Sequence, residues 1–153
     1  MASSWLAAVG EDGGMGGCVF CEVVKGERAA HVVLDEPDVM AFLDARPLFK
    51  GHTLLVPREH YETLTDLPGE FLGPFFGYAQ RLAGAMESVL GAAGSFVAMN
   101  NRVSQSVPHL HVHVVPRNRK DGLRGFFWPR QKYASDAEAA EYAERLGGAL
   151  SSG

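Results

Sequence analysis

PHLHVHVVPR, residues 108–117, is the most informative stretch of this 153-residue sequence. Its three histidines, His109, His111 and His113, alternate strictly with aliphatic residues. Successive side chains of a β-strand point to opposite faces, so residues i, i+2 and i+4 lie on one face. The pattern therefore predicts a strand over residues 109–117 with three imidazoles on one face and aliphatic side chains on the other, towards a core.

Three aligned imidazoles indicate chemistry more than packing, because every buried ring nitrogen needs a hydrogen-bond partner. Neutral imidazoles held close together can bind a metal ion. A neutral, oriented imidazole can also act as a nucleophile near pH 7. Different members of the row can serve each purpose, and a polar outer strand face is the structural alternative.

The surrounding sequence predicts an antiparallel sheet around this strand. Four further segments are rich in aliphatic or β-branched residues and end at turns, as strands do: 32–34, 39–43, 53–56 and 95–101. Most of the connections are too short for crossover helices. Five strands joined in this way favour an α+β fold on an antiparallel sheet.

Two segments have the period of amphipathic helices. Apolar residues recur every three or four positions from Leu67 to Leu90, with Asp66 as a candidate cap and Gly91 as a stop signal. Ser135 opens a shorter helix that reaches about Leu146, and Glu138 completes its capping box. The predicted fold is thus a five-stranded antiparallel sheet with one long and one short helix.

Composition bounds the class of protein. With 46% hydrophobic residues and 21% charged residues, the chain can build a core without disulfides. A formal net charge of −4 argues against a surface that wraps nucleic acid. No apolar run approaches the roughly 18 residues of a membrane span, and no signal peptide is evident. We expect a cytoplasmic protein with a flexible tail over residues 1–17 and a single domain over residues 18–150.

The motifs together resemble those of the histidine triad (HIT) superfamily of nucleotide-binding hydrolases and transferases. H-x-H-x-H followed by two apolar residues is that superfamily's signature, and the resemblance extends over residues 18–117. It rests on five further motifs in the same order: CVFC at 18–21, AFLD at 41–44, KGHTLLVP at 50–57, NN at 100–101 and QSV at 105–107. Their order and spacing carry more weight than any one of them.

The resemblance implies a covalent mechanism. His111 would attack the α-phosphorus of a nucleotide and form a nucleotidyl-histidine, which water would then hydrolyse to a mononucleotide. Splitting one difficult displacement into two easier ones is the benefit of such catalysis. His113 would stabilise charge on the phosphate, His52 would help to orient the nucleophile, and Ser106 would donate to the leaving atom.

The resemblance also implies a nucleotide pocket. Asp44 would accept hydrogen bonds from the ribose hydroxyls, while Gln105 and Asn100 would contact phosphate or sugar, together with Ser106. The alternative interpretation of Asp44 is an acidic residue in a turn, and that of Gln105 and Ser106 is polar loop residues without a binding role. Phe20 and Phe42 either line an apolar slot for a purine or belong to the core. Ser104 stands where the superfamily more often has glycine, so the phosphate loop is expected to differ in backbone conformation.

A zinc site is implied beside the catalytic strand. On spacing alone, the C-x-x-C of Cys18 and Cys21 is a metal half-site or a redox pair. The resemblance adds His60 and His109 and so completes a Cys2His2 set, which suits tetrahedral zinc. Four protein ligands leave no position for water, so the ion would be structural. A metal-free pair of packed thiols is the alternative.

The expected function is hydrolysis or nucleotidyl transfer on an adenylate-type substrate, such as a nucleoside phosphoramidate, a dinucleoside polyphosphate or an acyl-nucleotide. A zinc-stabilised nucleotide-binding module with a regulatory or scaffolding role is the alternative. The resemblance further implies a homodimer that uses the long helix and a sheet edge. We expect neither nucleic acid nor a membrane as a partner.

Overall fold

The structure is a computed structural model that describes residues 17–123 and 130–151. Two compact units meet in sequence between Asp121 and Gly122. In chain order the elements are α1 (Val19–Val24), β1 (Val32–Asp35), β2 (Val39–Leu43), β3 (Thr53–Pro57), α2 (Gly69–Leu90), β4 (Gly94–Ala98), β5 (Val112–Arg117) and α3 (Asp136–Ser151). The domain limits expected from the sequence, 1–17 and 18–150, stay predictions.

The five strands form one antiparallel sheet in the order β1-β2-β3-β5-β4. This confirms the predicted fold class. β5 lies between β3 and β4, so it is an inner strand with neighbours on both sides. The predicted histidine strand therefore carries its side chains in the middle of the sheet and not at an exposed edge.

Helix α2 covers one face of the sheet. Its buried residues Phe75, Ala79, Leu82 and Met86 recur at three- and four-residue steps and form the main core with alternate residues of β2, β3 and β5. Such spacing places apolar side chains on one helical stripe. The aliphatic residues of the histidine stretch, Leu110, Val112 and Val114, all belong to this core, as their alternation predicts.

The opposite face of the sheet packs against α1. Phe20 and Val23 form a second core there with Phe42, Leu54 and other strand residues. Strands β2 and β3 are thus apolar on both faces, which explains their continuous hydrophobic runs. Helix α1 was not predicted, since six residues give too short a pattern to show helical periodicity.

The histidine strand begins later than predicted. β5 starts at Val112, so His109 and His111 precede it, and β4 ends at Ala98, three residues before the predicted end. Pro108 has no backbone N–H for a ladder, and the Leu110 N–H bonds instead to the carbonyl of Tyr61. The alternation of faces nevertheless continues through residues 109–113, because the aliphatic residues stay in the main core.

The cap predicted for the long helix is wrong, whereas its stop is confirmed. Pro68 is the residue before α2, and the Asp66 carboxylate instead accepts from the N–H and hydroxyl of Thr63. Gly91 ends the helix with φ of 66°, a left-handed conformation that glycine adopts without strain. The helix continues through Pro74 without a break in its assignment.

The second unit contains α3, which runs five residues past the predicted Leu146 to Ser151. The predicted capping residues act together at its start: Glu138 donates its N–H to the Ser135 hydroxyl, and its carboxylate accepts from the Ala134 N–H. Within the described residues, no helix has the length and apolar content needed to cross a bilayer.

Candidate active site and metal centre

A cavity of about 210 Å³ opens on the α1 side of the sheet. Apolar residues of α1, β2 and β3 form one part of its wall. Polar residues form the rest of the wall, some just after β2 and others before β5 or at its start, within residues 106–113. Its principal lining residues are Val19, Phe20, Val23, Arg28, Phe42, Asp44, Arg46, Leu54, Ser106, Val107, His111 and His113. An apolar slot with polar groups gathered at one end is the usual form of a small-ligand site.

Of the two ring nitrogens of His111, Nδ1 is hydrogen-bonded within the described residues and Nε2 is not. Its Nδ1 lies 2.7 Å from the carbonyl oxygen of His109, which can only accept, so Nδ1 carries the proton. The neutral ring then has a lone pair on Nε2, and no described residue hydrogen-bonds to that atom. Because His111 lines the cavity, this lone pair faces the site and is chemically able to act as a nucleophile.

His52 and His113 form a chain of hydrogen bonds that also fixes their tautomers. The Leu48 N–H donates to Nδ1 of His52 at 3.1 Å, so the proton of the neutral His52 ring is on Nε2. That Nε2–H faces Nδ1 of His113 at 3.0 Å. His113 consequently has its own proton on Nε2, where the ring can donate into the cavity that it lines.

The imidazoles of the cavity are held neutral. Burial, followed by the neighbouring His111 and His52 rings, lowers the pKa of His113 to about 4. Burial also lowers the pKa of His111 and of His52, although the Asp44 carboxylate acts in the opposite direction on both. At pH 7 the site therefore offers one imidazole lone pair and neutral N–H donors to a ligand.

Asp44 lies at the end of β2 and lines the same cavity. One of its oxygens accepts from the Arg46 N–H at 2.8 Å, and the other lies 3.6 Å from Nε2 of His52. Its carboxylate is only partly exposed, and acceptors of this kind suit hydroxyl donors such as those of a ribose. The turn contact with Arg46 and a ribose contact use different lone pairs, so both interpretations are compatible.

Phe20 and Phe42 belong at once to the core and to the cavity wall. Both are buried, and their rings meet edge to face with centroids 5.4 Å apart. The Phe20 ring also lies edge to face with His111 at 5.0 Å and with His109 at 6.0 Å. Phe20 therefore fixes the orientation of the candidate nucleophile as well as lining the slot.

The three predicted polar loop residues are not equivalent. Ser106 lines the cavity, whereas Gln105 and Asn100 are not among its lining residues. The Gln105 side chain accepts from the Arg102 N–H at 2.7 Å and donates to the carbonyl of Glu62 at 2.6 Å, and so secures the loop. Asn100 lies two residues beyond Ala98, which pairs with His113 in the ladder.

The loop before the histidine stretch has an unusual backbone. Arg102 and Ser104 have φ of 67° and 59°, values that non-glycine residues rarely adopt. Ser104 thus holds a left-handed conformation that glycine adopts without strain, and the expected difference from the superfamily's loop stays a prediction. The bonds of Gln105 supply part of the energy that holds this strained loop.

Cys18, Cys21, His60 and His109 offer four donor atoms that all lie within 4.8 Å of one another. Nδ1 of His109 is 3.3 Å from Sγ of Cys18 and 3.5 Å from Sγ of Cys21, and Nδ1 of His60 is 3.3 Å from Sγ of Cys21. Tetrahedral zinc, with bonds of about 2.3 Å to sulfur and about 2.0 Å to nitrogen, separates such ligands by about 3.5 Å.

The protonation of this cluster also fits a cation. Nε2 of His109 lies 2.8 Å from the carbonyl of Pro57, so the proton is on Nε2 and Nδ1 has a lone pair towards the sulfurs. Burial, with the adjacent Cys18, raises the pKa of the Cys21 thiol to about 11 in the absence of an ion. A divalent cation would offset this cost, and the four residues can therefore hold a metal.

Asp44, His52 and His113 form a second group whose donor atoms also lie within 4.8 Å. The Leu48 N–H already occupies the lone pair of His52 Nδ1. Ligation through Nε2 would require the His52 ring to lose its remaining proton. The trio is therefore better described as a hydrogen-bonded relay than as a metal site.

The HIT domain profile matches residues 25–120. The chain belongs to the HIT family. The matched range contains every strand of the sheet and all histidines of both constellations, and it confirms the resemblance seen in the sequence.

Relatives of this HIT protein are found in all three domains of life. An uncharacterised HIT-like protein of Methanocaldococcus jannaschii is 40% identical over 107 residues, which is 69% of this chain and 82% of the relative. The adenosine 5′-monophosphoramidase of Saccharomyces cerevisiae is 35% identical over 131 residues, 84% of this chain and 80% of the relative. A zinc-bound histidine triad protein of Mycobacterium smegmatis superposes with a TM-score of 0.66 and 35% identity, over 87% of this chain and 97% of the other.

Sequence reasoning missed several cavity residues. Val19 and Val23 line the cavity from α1, and their spacing of four, one helical turn, was the available signal. The Leu48 N–H, which sets the tautomer of His52, has no sequence signal because it is a backbone group. Arg28 and Arg46 were also missed, since arginines in a loop look ordinary until the cavity is seen.

Proposed function

We propose that this HIT protein is a nucleotide hydrolase or nucleotidyl transferase that acts at the α-phosphate of adenylate-type substrates, namely nucleoside phosphoramidates, dinucleoside polyphosphates or acyl-nucleotides. The observation that carries the proposal is the unpartnered Nε2 lone pair of His111 in a cavity with an apolar slot at one end. The phosphoramidase name of the yeast relative supports the choice of substrate class.

The reaction proceeds in two displacements. Nε2 of His111 attacks the α-phosphorus, the bond to the leaving group breaks, and its electron pair departs with the leaving atom. Ser106, which lines the cavity, supplies a hydrogen bond or proton to that atom. Water or another acceptor then attacks the phosphorus, the phosphorus–nitrogen bond breaks, and His111 returns to its neutral state.

The surrounding groups stabilise the covalent intermediate. Nucleotidylation of Nε2 makes the His111 ring cationic. The His109 carbonyl oxygen, 2.7 Å from Nδ1, accepts the hydrogen bond from the Nδ1–H and stabilises this positive charge. The N–H of His113 is placed to donate to a phosphate oxygen, where charge develops in the transition state. Asp44 binds the ribose hydroxyls, and Phe20 and Phe42 contact the base.

The same proposal gives the metal a structural role. Cys18, Cys21, His60 and His109 would hold zinc, with no ligand position open to water. The ion would anchor α1 to His109, two residues before the nucleophile. We further propose a homodimer, since α2 and the edge strand β4 expose Phe76 and Val97 next to the main core. Light scattering of the purified protein tests that assembly.

The decisive experiment offers the wild-type protein adenosine phosphoramidate, diadenosine polyphosphate and an acyl-adenylate, with mass-spectrometric detection of AMP and of a nucleotidyl adduct on His111. We expect release of AMP and an adduct in the quenched wild-type reaction. His111→Ala should bind AMP without turnover, while His31→Ala, at an exposed histidine that does not line the cavity, provides the matched control. Turnover in the His111 variant at the wild-type rate would overturn the mechanism. Tight AMP binding without any turnover by the wild type would instead identify a binding module.

A further inference from the structure

Arg58 joins three segments of the chain through one side chain. It directly follows β3, and its Nε donates to the carbonyl of Glu36 at 2.6 Å. Its Nη2 donates to the carboxylate of Asp35, and its Nη1 donates to the carbonyl of Val24 at 3.3 Å. One guanidinium therefore connects the end of β3 with the turn after β1 and with helix α1.

The contact with Val24 lies at the C-terminal end of α1. Carbonyls in the last turn of a helix have no N–H of that helix to accept from, so they need a partner elsewhere. Arg58 supplies this partner, and its positive charge is also favourable at the negative end of a helix dipole. At the opposite end, Cys18 and Cys21 belong to the metal cluster. Arg58 thus attaches the end of α1 that is farther from the metal cluster.

The guanidinium of Arg58 is fixed by its other bonds. The backbone N–H of Arg58 donates to the carbonyl of Asp38 at 2.9 Å, and the side chain is only 26% exposed. The bonds of Nε and Nη2 hold the plane of the group against the end of β1. Because a guanidinium is rigid and planar, fixing two of its donors also fixes the direction of the third, which bonds to Val24.

Helix α1 depends on such an attachment, because its own six residues form too few hydrogen bonds to persist alone. Phe20 and Val23 pack it against the sheet, but apolar contacts are not directional and restrict sliding and rotation of the helix less than a hydrogen bond does. The same two residues line the cavity, and the Phe20 ring lies 5.0 Å from that of His111. The position of α1 therefore decides the width of the apolar slot.

We infer that Arg58 is a positioning residue of the nucleotide site: it holds α1 in the place at which the apolar slot accepts a base. Arg58 does not line the cavity, so it acts through Val24 and α1 and not by contact with the ligand. The inference rests on the proposed function for the identity of the ligand, whereas the attachment of α1 itself can be measured without one.

The first test compares amide hydrogen exchange in the nucleotide-free wild type and in Arg58→Met, which keeps an unbranched apolar side chain but removes every donor. We expect exchange in residues 19–28 to become about tenfold faster, since local opening of α1 no longer breaks the bond to Val24. Exchange in the inner strands β3 and β5 should stay within about twofold. Exchange that accelerates equally throughout the sheet would identify a general loss of stability and overturn the inference, as would unchanged exchange in α1.

The second test separates binding from chemistry. Calorimetry should show that Arg58→Met weakens AMP binding by about tenfold. With adenosine phosphoramidate, KM should rise by a similar factor and kcat should fall by less than about threefold. The split follows because Nδ1 of His111 keeps its hydrogen bond to the His109 carbonyl, to which α1 contributes nothing. A tenfold fall in kcat with unchanged KM would contradict a positioning role.

Two further variants are matched controls. Asp35→Ala removes the ion pair from the same guanidinium but leaves the bond to Val24, and an exposed ion pair contributes little. Arg81→Met removes the same charge from an exposed position of α2 that does not line the cavity. Both should bind AMP within about twofold of the wild type, and a tenfold loss in either would overturn the inference.

Arg58→Lys decides the question should Arg58→Met fail to fold. It keeps the charge but not the planar fork of donors, so its exchange in α1 and its AMP affinity should lie measurably below the protection and affinity of the wild type. Wild-type values for both would then overturn the inference. The two proposals also fail separately. Absence of AMP binding by the wild type refutes the proposed function, while hydrogen exchange still decides the attachment of α1; equal AMP binding and turnover in the wild type and in Arg58→Met refute only the role of Arg58.

Discussion

The relay from Leu48 through His52 to His113 can be tested by cutting either of its two hydrogen bonds alone. His52→Asn places an amide oxygen near the former Nδ1, so it can still accept from the Leu48 N–H but cannot reach His113. His52→Gln places an amide nitrogen near the former Nε2, so it can still donate to His113 but no longer accepts from Leu48. The original distances are 3.1 Å and 3.0 Å.

The two variants should differ in activity. A hydrogen bond contributes about 1 kcal/mol net, and if the bond to His113 acts fully in the transition state its loss slows kcat by about fivefold. His52→Asn should therefore lose about fivefold in kcat, whereas His52→Gln should retain more activity. Each variant removes one hydrogen bond of the folded protein, so each should lose about 1 kcal/mol of stability, which lowers Tm by about 2–4 °C in a chain of this size.

Single-turnover kinetics with adenosine phosphoramidate and thermal denaturation of the same preparations measure both quantities. The pH profile provides a further readout, because His52 is one cause of the lowered pKa of His113. Its replacement by a neutral amide should move the acidic limb of kcat to higher pH. Equal kcat values for the two variants, or a slower Gln variant, would refute the assignment of the relay.

Three further outcomes follow from the site and its support. His111→Ala should lower kcat by about a thousandfold or more while AMP binding persists, and adduct mass spectrometry would show no nucleotidylated protein. Cys18→Ser should lose the bound metal, about one ion per chain by elemental analysis against the wild type, and should raise KM more than it lowers kcat, because α1 carries part of the cavity wall. His113 alone should make the free energy of unfolding about 2 kcal/mol lower at pH 5 than at pH 7. The pKa of His113 is about 4 in the folded protein and 6.5 in the unfolded chain, so the unfolded chain binds the proton first as the pH falls. Urea titrations that show the same pH dependence in His113→Gln would contradict this.

The sheet was predictable because its strands carry their own evidence. Residues 39–43 and 53–56 are short, continuous apolar runs, and both prove to be buried on the two faces of the sheet. The amphipathic period of α2 likewise identified the helix that covers one face. The alternation of His109, His111 and His113 placed them on one face even though only His113 lies within the regular strand.

The remainder depends on three-dimensional contacts that a local pattern does not encode. Helix α1 is stabilised by packing and by the Cys18 cap, not by periodicity. The start of β5 depends on Tyr61, which lies 49 positions before Leu110 in the sequence and whose carbonyl accepts the hydrogen bond from the Leu110 N–H. The tautomer of His111 depends on a carbonyl of its own chain, and the placement of Arg28 depends on Glu22.

The six residues of α1 have a thermodynamic consequence. A helix this short does not persist in water on its own, since nucleation costs more than its few hydrogen bonds return. One side of α1 supplies Cys21 to the metal cluster, and another supplies Phe20 and Val23 to the cavity. Packing against the sheet already places α1, and on the proposed function each ligand would add contacts to it and so reduce the freedom that the other must remove. Metal and nucleotide should therefore bind with positive cooperativity, and by linkage each must raise the affinity of the other by the same factor.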